Sequence, residues 1–163
     1  MGERALKSQE QYHAVVFDLL TALLDSWSLW NKVAGAESVG MDWRTRYLQL
    51  TYQAGSYRSY EDIIKEAAQE VGLISGHAEA LIRRWGELEP WPEAREVMRV
   101  LLEKVPVAVA TNSSHSLADI AVAALGVSIP VVVTAEEAGY YKPHPSPYRI
   151  ALDRLQLAST SVL

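Results

Sequence analysis

Four polar residues of the sequence have the chemistry that a carboxylate nucleophile and its supporting groups require. Asp18 follows the first of three short apolar runs, and Lys142 lies in the loop after the third. Asp18 can act as a nucleophile, and a lysine beside it would orient the carboxylate and keep it ionised. Thr111 and Asn112 follow the second run and would donate hydrogen bonds to an anionic substrate. Each residue alone is equally typical of a turn, a helix approach or a solvated surface.

The three apolar runs predict β-strands at residues 13–17, 105–110 and 129–133. After the Pro-Trp-Pro motif at residues 90–92, strands alternate with amphipathic helices, which indicates parallel βαβ units. The expected fold class is therefore α/β, with a doubly wound parallel sheet whose strands are buried on both faces. Ligands of such sheets bind outside the carboxyl ends of the strands. This arrangement would bring the four polar residues into one crevice.

Residues 26–90 have helical periodicity and contain no clear strand. We interpret them as a helical insertion between the first strand and the rest of the sheet. The predicted core then consists of residues 11–25 and 91–163. A chain of 163 residues with 49% hydrophobic content can bury one sizeable core of this kind.

The composition excludes several classes of function. Fifteen Lys and Arg against 20 Asp and Glu give a formal net charge of −5, which argues against a nucleic-acid-binding surface. The absence of cysteine excludes disulfides, thiolate metal sites and cysteine nucleophiles. No apolar run reaches the roughly 18 residues of a membrane span, and the polar N-terminus is not a signal peptide. We therefore expect a cytoplasmic protein without membrane or nucleic-acid partners.

Three segments of the sequence, in this order, resemble the motifs of the haloacid dehalogenase superfamily: Val-Val-Phe-Asp18-Leu-Leu-Thr-Ala-Leu-Leu-Asp25, Val-Ala-Thr111-Asn112 and Tyr141-Lys142-Pro143-His-Pro-Ser-Pro-Tyr148. The resemblance covers residues 12–160 and implies a hydrolase with a Rossmann-like core and a helical cap. It implies that Asp18 attacks carbon or phosphorus to form an ester intermediate, with Lys142 as the second catalytic residue. Thr111 and Asn112 would position the substrate.

Two further positions resemble the 2-haloacid dehalogenase branch of the superfamily. Leu20 occupies the position at which the superfamily's phosphatases have an acid that protonates the leaving group. The resemblance implies that Leu20 lies in the substrate site. Leucine cannot supply this proton, whereas a halide leaves without one. The segment Trp43-Arg44-Thr-Arg46-Tyr47-Leu48 resembles that branch's cap, which implies that Arg44 binds the substrate carboxylate or the halide. The resemblance thus predicts hydrolysis of a carbon–halogen bond in a small anionic substrate, without a cofactor.

Two alternative functions remain open. One is a Mg²⁺-dependent phosphatase of the same superfamily that acts on an activated phosphate, with Asp18 as a ligand of the metal. The other is a catalytically silent binding module. The silent module is favoured by Leu20, by the lost fourth motif and by Thr21-Ala22, which replaces the Gly-Thr of the superfamily and so loses the hydrogen-bond donor of that threonine. The intact Asp18 and Lys142 argue against it.

The end of the sequence carries a further expectation. The chain stops about where the superfamily's fourth motif would begin, so we expect a truncation before that motif. The outer edge of the first strand would then be unpaired. An unpaired apolar edge favours self-association, so we expect a homodimer.

Overall fold

The structure is a computed structural model and describes residues 12–163. Gln11, the first residue of the predicted core, and the polar residues before it lie outside the described residues. The elements in chain order are β1 (Val15–Phe17), β2 (Leu24–Asp25), α1 (Ser26–Ala34), α2 (Glu37–Gln53), α3 (Tyr60–Glu70), α4 (Ser75–Arg83), β3 (Glu89–Pro90), α5 (Ala94–Leu102), β4 (Val107–Thr111), α6 (His115–Leu125), β5 (Val131–Thr134), α7 (Ala135–Ala138) and α8 (Pro145–Leu155). Short 3-10 helices follow α4 at Trp85–Glu87 and α8 at Ser159–Ser161.

The predicted α/β fold with a parallel sheet is confirmed. The sheet has three strands in the order β1-β4-β5, and every residue of the central strand β4 is buried. Val107 and Val109 belong to the hydrophobic cluster that includes α5 and α6. Ala108 belongs to a second cluster, together with Val133 and Ala151 of α8. Alternate residues of β4 therefore face opposite sides of the sheet, each covered by helices.

Strand β1 is half-buried, whereas its apolar sequence predicted full burial. The reason is its place at the outside of the sheet. Among the described residues, its outer edge pairs with Val162 and Leu163: Ala14 forms a parallel bridge with Val162, and the Val16 N–H donates to the Leu163 carbonyl at 2.8 Å. These two residues lie where the sequence predicted the next strand to begin. The expectation that this edge is unpaired was therefore wrong, and a homodimer stays a prediction.

The helices α1 to α4, which we call the helical segment, pack around a group of aromatic side chains. The Trp30 ring lies 4.7 Å from that of Trp43 and 5.5 Å from that of Tyr47. Tyr60 lies 5.2 Å from Tyr47 and 5.9 Å from Trp85. Tilted and edge-on pairs at such distances contribute roughly 0.5–1.5 kcal/mol each beyond the area they bury.

None of the described helices is long and apolar enough to cross a membrane.

The helical segment is joined to the sheet region at both of its ends and near the strand termini. Its two ends meet in the antiparallel pair β2–β3. The Tyr57 N–H donates to the Gly139 carbonyl, and the Tyr141 hydroxyl donates to the Arg58 carbonyl, both at 2.7 Å. These bonds fix the connection between α2 and α3 beside the loop that follows α7.

The close approach of α1 and α2 generates a prediction about stability. A Cβ added at Gly40 of α2 would lie 2.6 Å from the Cα of Asn31 in α1, so the helices would have to move apart. We expect Gly40→Ala to lower the free energy of unfolding by about 1–3 kcal/mol, as overpacking commonly does. Urea denaturation measures this change.

The matched control for Gly40→Ala is Gly76→Ala in α4, where an added Cβ meets no atom within 4 Å. Alanine favours helix over glycine by up to about 1 kcal/mol, so we expect this variant to equal or exceed the wild type in stability. Equal stability of the two variants would contradict the close packing at Gly40.

Candidate active site

An ion pair between Asp18 and Lys142 lies at the carboxyl ends of the strands. Asp18 directly follows β1, and Lys142 lies in the loop between α7 and α8. The Lys142 Nζ donates to Asp18 Oδ1 at 2.6 Å and to the Ala110 carbonyl of β4 at 2.6 Å. The Lys142 side chain is 14% exposed and that of Asp18 is 35% exposed. The structure therefore brings together the two residues that the sequence predicted as catalytic.

The pKa of the Asp18 carboxyl lies below its ordinary value. Burial by itself raises this pKa, but the charge and hydrogen bond of Lys142, together with hydrogen bonds from Thr21, lower it by more. The Thr21 N–H and hydroxyl donate to Asp18 Oδ2 at 3.3 and 3.1 Å. The carboxylate is thus ionised at neutral pH, as a nucleophile must be. The Ala22 side chain has no donor, as expected from its residue type, and the Thr21 hydroxyl one position earlier supplies a donor to the carboxylate.

Asn112 and Thr111, both predicted to bind substrate, make different contacts. The Asn112 side chain forms two hydrogen bonds with the backbone of Lys142: its Oδ1 accepts from the N–H at 2.7 Å, and its Nδ2 donates to the carbonyl at 3.3 Å. Asn112 thereby fixes the loop that carries the ammonium. Thr111 is fully buried at the end of β4 and its hydroxyl makes no hydrogen bond, so the structure does not bring it to the cavity wall. Substrate binding by these two residues stays a prediction.

Arg44 of α2 is a buried cation in the same site. It is 6% exposed, its Nη1 donates to the Ser26 hydroxyl at 2.6 Å, and its guanidinium lies 4.2 Å from the ring centre of Trp27. Within the described part of the chain, no carboxylate lies within 4.0 Å of this guanidinium. Burial lowers the pKa of Arg44, which still stays charged because arginine ordinarily titrates above about 12. A buried guanidinium without a carboxylate partner is suited to an anionic ligand.

A cavity of about 260 Å³ connects these groups. Polar side chains form part of its wall and apolar or aromatic ones the rest, and the lining residues are Asp18, Leu20, Thr21, Arg44, Tyr47, Leu48, Tyr52, Tyr60, Asn112, Lys142, Pro143 and Tyr148. Asp18 is the only carboxylate among them, and it faces two cations. This arrangement can bind a small anion next to an ionised carboxylate.

Four tyrosines line the cavity, namely Tyr47, Tyr52, Tyr60 and Tyr148. Burial raises the pKa of Tyr47 and of Tyr60, so both phenols are neutral, and the Tyr47 hydroxyl donates to the Asn112 carbonyl at 3.2 Å. The sequence of α2, which carries Tyr47, gave one usable signal. Arg44, Tyr47 and Leu48 are spaced by three and four positions, which puts them on one helical face.

The described residues of the site offer few ligands for a magnesium ion. Divalent cations bind to several oxygen ligands, and carboxylates are prominent among them. Among residues 12–163 no group of three or more His, Cys, Asp or Glu side chains is arranged to hold a metal ion. Asp18, the predicted magnesium ligand of the phosphatase alternative, is the one carboxylate in the cavity lining.

Comparisons with known proteins identify a family and relatives of this chain. A family model described as haloacid dehalogenase-like hydrolase matches residues 10–163. (S)-2-haloacid dehalogenase 4A of Burkholderia cepacia is 28% identical over 90% of this chain and 71% of its own length. The crystal structure of a dehalogenase with an intermediate complex superposes with a TM-score of 0.81 at 25% identity, covering 94% of this chain and 75% of the other. L-2-haloacid dehalogenase from Xanthobacter autotrophicus superposes with a TM-score of 0.81 at 21% identity, covering 93% of this chain and 68% of the other.

The ion pair generates a prediction about the Asp18 carboxyl. We expect Lys142→Met to raise the Asp18 pKa, because burial continues to oppose ionisation while the neighbouring charge is lost. The measurement is a pH titration of the carboxyl ¹³C resonance, assigned with Asp18→Asn. Lys104→Met, at an exposed lysine, is the matched control and should leave the titration unchanged. An unchanged Asp18 pKa in Lys142→Met would contradict the ion pair.

Proposed function

Since the chain belongs to the haloacid dehalogenase-like hydrolases, we propose that it hydrolyses the carbon–halogen bond of a small 2-haloacid through an ester on Asp18. The observation that carries this proposal is the buried Arg44 guanidinium. It has no carboxylate partner among the described residues, and it lines the same cavity as the Asp18–Lys142 pair. A 2-haloacid supplies the missing anion in its carboxylate and releases a second one as halide.

The proposed reaction has two steps. In the first, an Asp18 oxygen attacks the carbon that bears the halogen. The new C–O bond forms as the carbon–halogen bond breaks, and the halide leaves with the electron pair. In the second, water cleaves the ester, which regenerates the Asp18 carboxylate and yields a 2-hydroxy acid and a proton. Lys142 orients the attacking carboxylate through the bond to Oδ1, so that the reacting atoms meet in a fixed geometry.

The nature of the cavity wall supports a leaving group that needs no proton. Leu20 lines the cavity and cannot act as an acid, and Asp18 is the one carboxylate in the lining. A halide departs without protonation, whereas the alkoxide that leaves a phosphate monoester needs a proton. No feature of the described residues favours the magnesium-dependent phosphatase, and the proposed reaction uses no cofactor.

In this proposal residues 26–90 form the cap, and residues 11–25 and 91–163 form the core. Four residues of α2 line the cavity, namely Arg44, Tyr47, Leu48 and Tyr52, while Asp18 and Lys142 come from the sheet side. This distribution of the lining residues supports a role for α2 in anion binding and a role for the core in the nucleophilic step. The partner is a small anionic substrate, and the negative net charge of −5 argues against nucleic acid.

Comparing two substrates tests the proposed reaction. Halide release from 2-chloropropionate and phosphate release from an aryl phosphate are measured with and without Mg²⁺, with Asp18→Asn as the blank. We expect halide release that needs Asp18 and is indifferent to Mg²⁺, since the cavity lining offers one carboxylate and two cations. Metal-dependent phosphate release would contradict the proposal. Absence of both activities would favour the silent binding module.

The role of Arg44 is tested by Arg44→Lys. A lysine keeps the charge but loses the planar fork of donors, so we expect kcat/KM for 2-chloropropionate to fall about 10- to 100-fold. Arg46→Lys is the matched control: it lies on the same helix, pairs with Glu70 and does not line the cavity. Because exposed ion pairs contribute little to stability, the kcat/KM of the control should match that of the wild type. Equal losses in the two variants would exclude anion binding by Arg44.

A further inference from the structure

The two oxygens of the Asp18 carboxylate are bound by different partners. Lys142 binds Oδ1, while Oδ2 accepts two hydrogen bonds from Thr21, one from its N–H at 3.3 Å and one from its hydroxyl at 3.1 Å. Thr21 lies three residues after Asp18 in the turn that leads from β1 to β2, and it lines the cavity. The orientation of the carboxylate plane therefore depends on Thr21 as well as on the ammonium.

Thr21 is itself bound from the far end of the helical segment. The Trp91 indole N–H donates to the Thr21 carbonyl at 2.9 Å, and the Trp91 backbone N–H donates to the Leu23 carbonyl at 3.1 Å. Trp91 directly follows β3 and is half-buried. It belongs to the Pro-Trp-Pro motif at residues 90–92, which marks the return of the chain from the helical segment to the sheet. The indole bond connects this return point to the turn that carries Thr21.

We propose that Thr21 is a positioning residue for the Asp18 nucleophile and that the Trp91 indole holds Thr21 in the conformation this requires. The inference rests on the proposed function, in which Asp18 is the attacking group. An aspartate whose carboxylate is held by the Lys142 bond to Oδ1 alone can still tilt about that contact, which moves Oδ2. Donors on both oxygens remove that freedom, and a fixed attack geometry is a major source of rate acceleration.

A purely structural role is the competing interpretation. An aspartate that accepts from the N–H three residues later is a common way of stabilising a turn. The Thr21 hydroxyl bond and the Trp91 indole bond go beyond that requirement, because the backbone N–H alone completes the turn. The two interpretations differ in what the hydroxyl does, so variants that change only the hydroxyl separate them.

The test compares Thr21→Val, which removes the hydroxyl at nearly constant shape, with Thr21→Ser, which keeps it. We expect Thr21→Val to raise the pKa of the Asp18 carboxyl in the ¹³C titration and to lower kcat for 2-chloropropionate about 10- to 100-fold with little change in KM. Thr21→Ser should restore both quantities to near the wild-type values. Urea denaturation of each variant reports the structural contribution separately.

Trp91→Phe tests the second part of the proposal, since phenylalanine keeps an aromatic ring but has no N–H to donate. We expect its effects on the Asp18 pKa and on kcat to have the same sign as those of Thr21→Val and to be smaller, because Thr21 keeps its own bonds to Oδ2. Wild-type values in Trp91→Phe would overturn the role of the indole.

Other outcomes are equally decisive. An unchanged Asp18 pKa and kcat in Thr21→Val would overturn the role of Thr21. Equal losses in Thr21→Val and Thr21→Ser, accompanied by equal destabilisation, would leave it a structural residue. If the wild type releases no halide, the proposed function fails, and the titration of Asp18 in the three variants still decides whether Thr21 and Trp91 control the carboxylate.

Discussion

The contact on which the site depends is the ion pair between Asp18 and Lys142. The two residues are far apart in sequence and meet because β1, β4 and β5 run parallel, so that all three strands end at the same edge of the sheet. The Ala110 carbonyl of β4 accepts a second bond from the ammonium and fixes its position between the strands. The low pKa of the Asp18 carboxyl and the orientation of the carboxylate therefore both depend on the sheet that brings Lys142 to it.

The helical segment adds what the ion pair lacks. Asp18 and Lys142 neutralise each other, so the pair alone offers little attraction for an anion. Arg44 contributes a positive charge with no carboxylate of the described residues within 4.0 Å, and it does so from a helix fixed by aromatic packing around Trp30 and Trp43. A net positive pocket next to an ionised carboxylate is the electrostatic basis of the proposed reaction.

The residue pattern of the sequence was sufficient to predict the strands of the parallel sheet and the polar residues that follow them. Continuous apolar runs identified β1, β4 and β5 but not the two-residue strands β2 and β3, and polar residues that follow the runs identified Asp18 and Lys142. The pattern did not reveal that β1 is half-buried, because burial depends on which strand becomes the outer one. Contacts that join distant elements were likewise inaccessible: the Asn112 bonds to the Lys142 backbone and the Trp91 bond to Thr21 each need the folded chain.

The central claim is that an Asp18 oxygen attacks the substrate carbon, and isotope labelling tests it most directly. The protein turns over 2-chloropropionate repeatedly in heavy-oxygen water, and the peptide that contains Asp18 is then analysed by mass spectrometry. Attack by Asp18 followed by hydrolysis of the ester predicts heavy oxygen in the Asp18 carboxylate. Halide release with the label confined to the 2-hydroxy acid product would mean that water attacks directly, and would contradict the account.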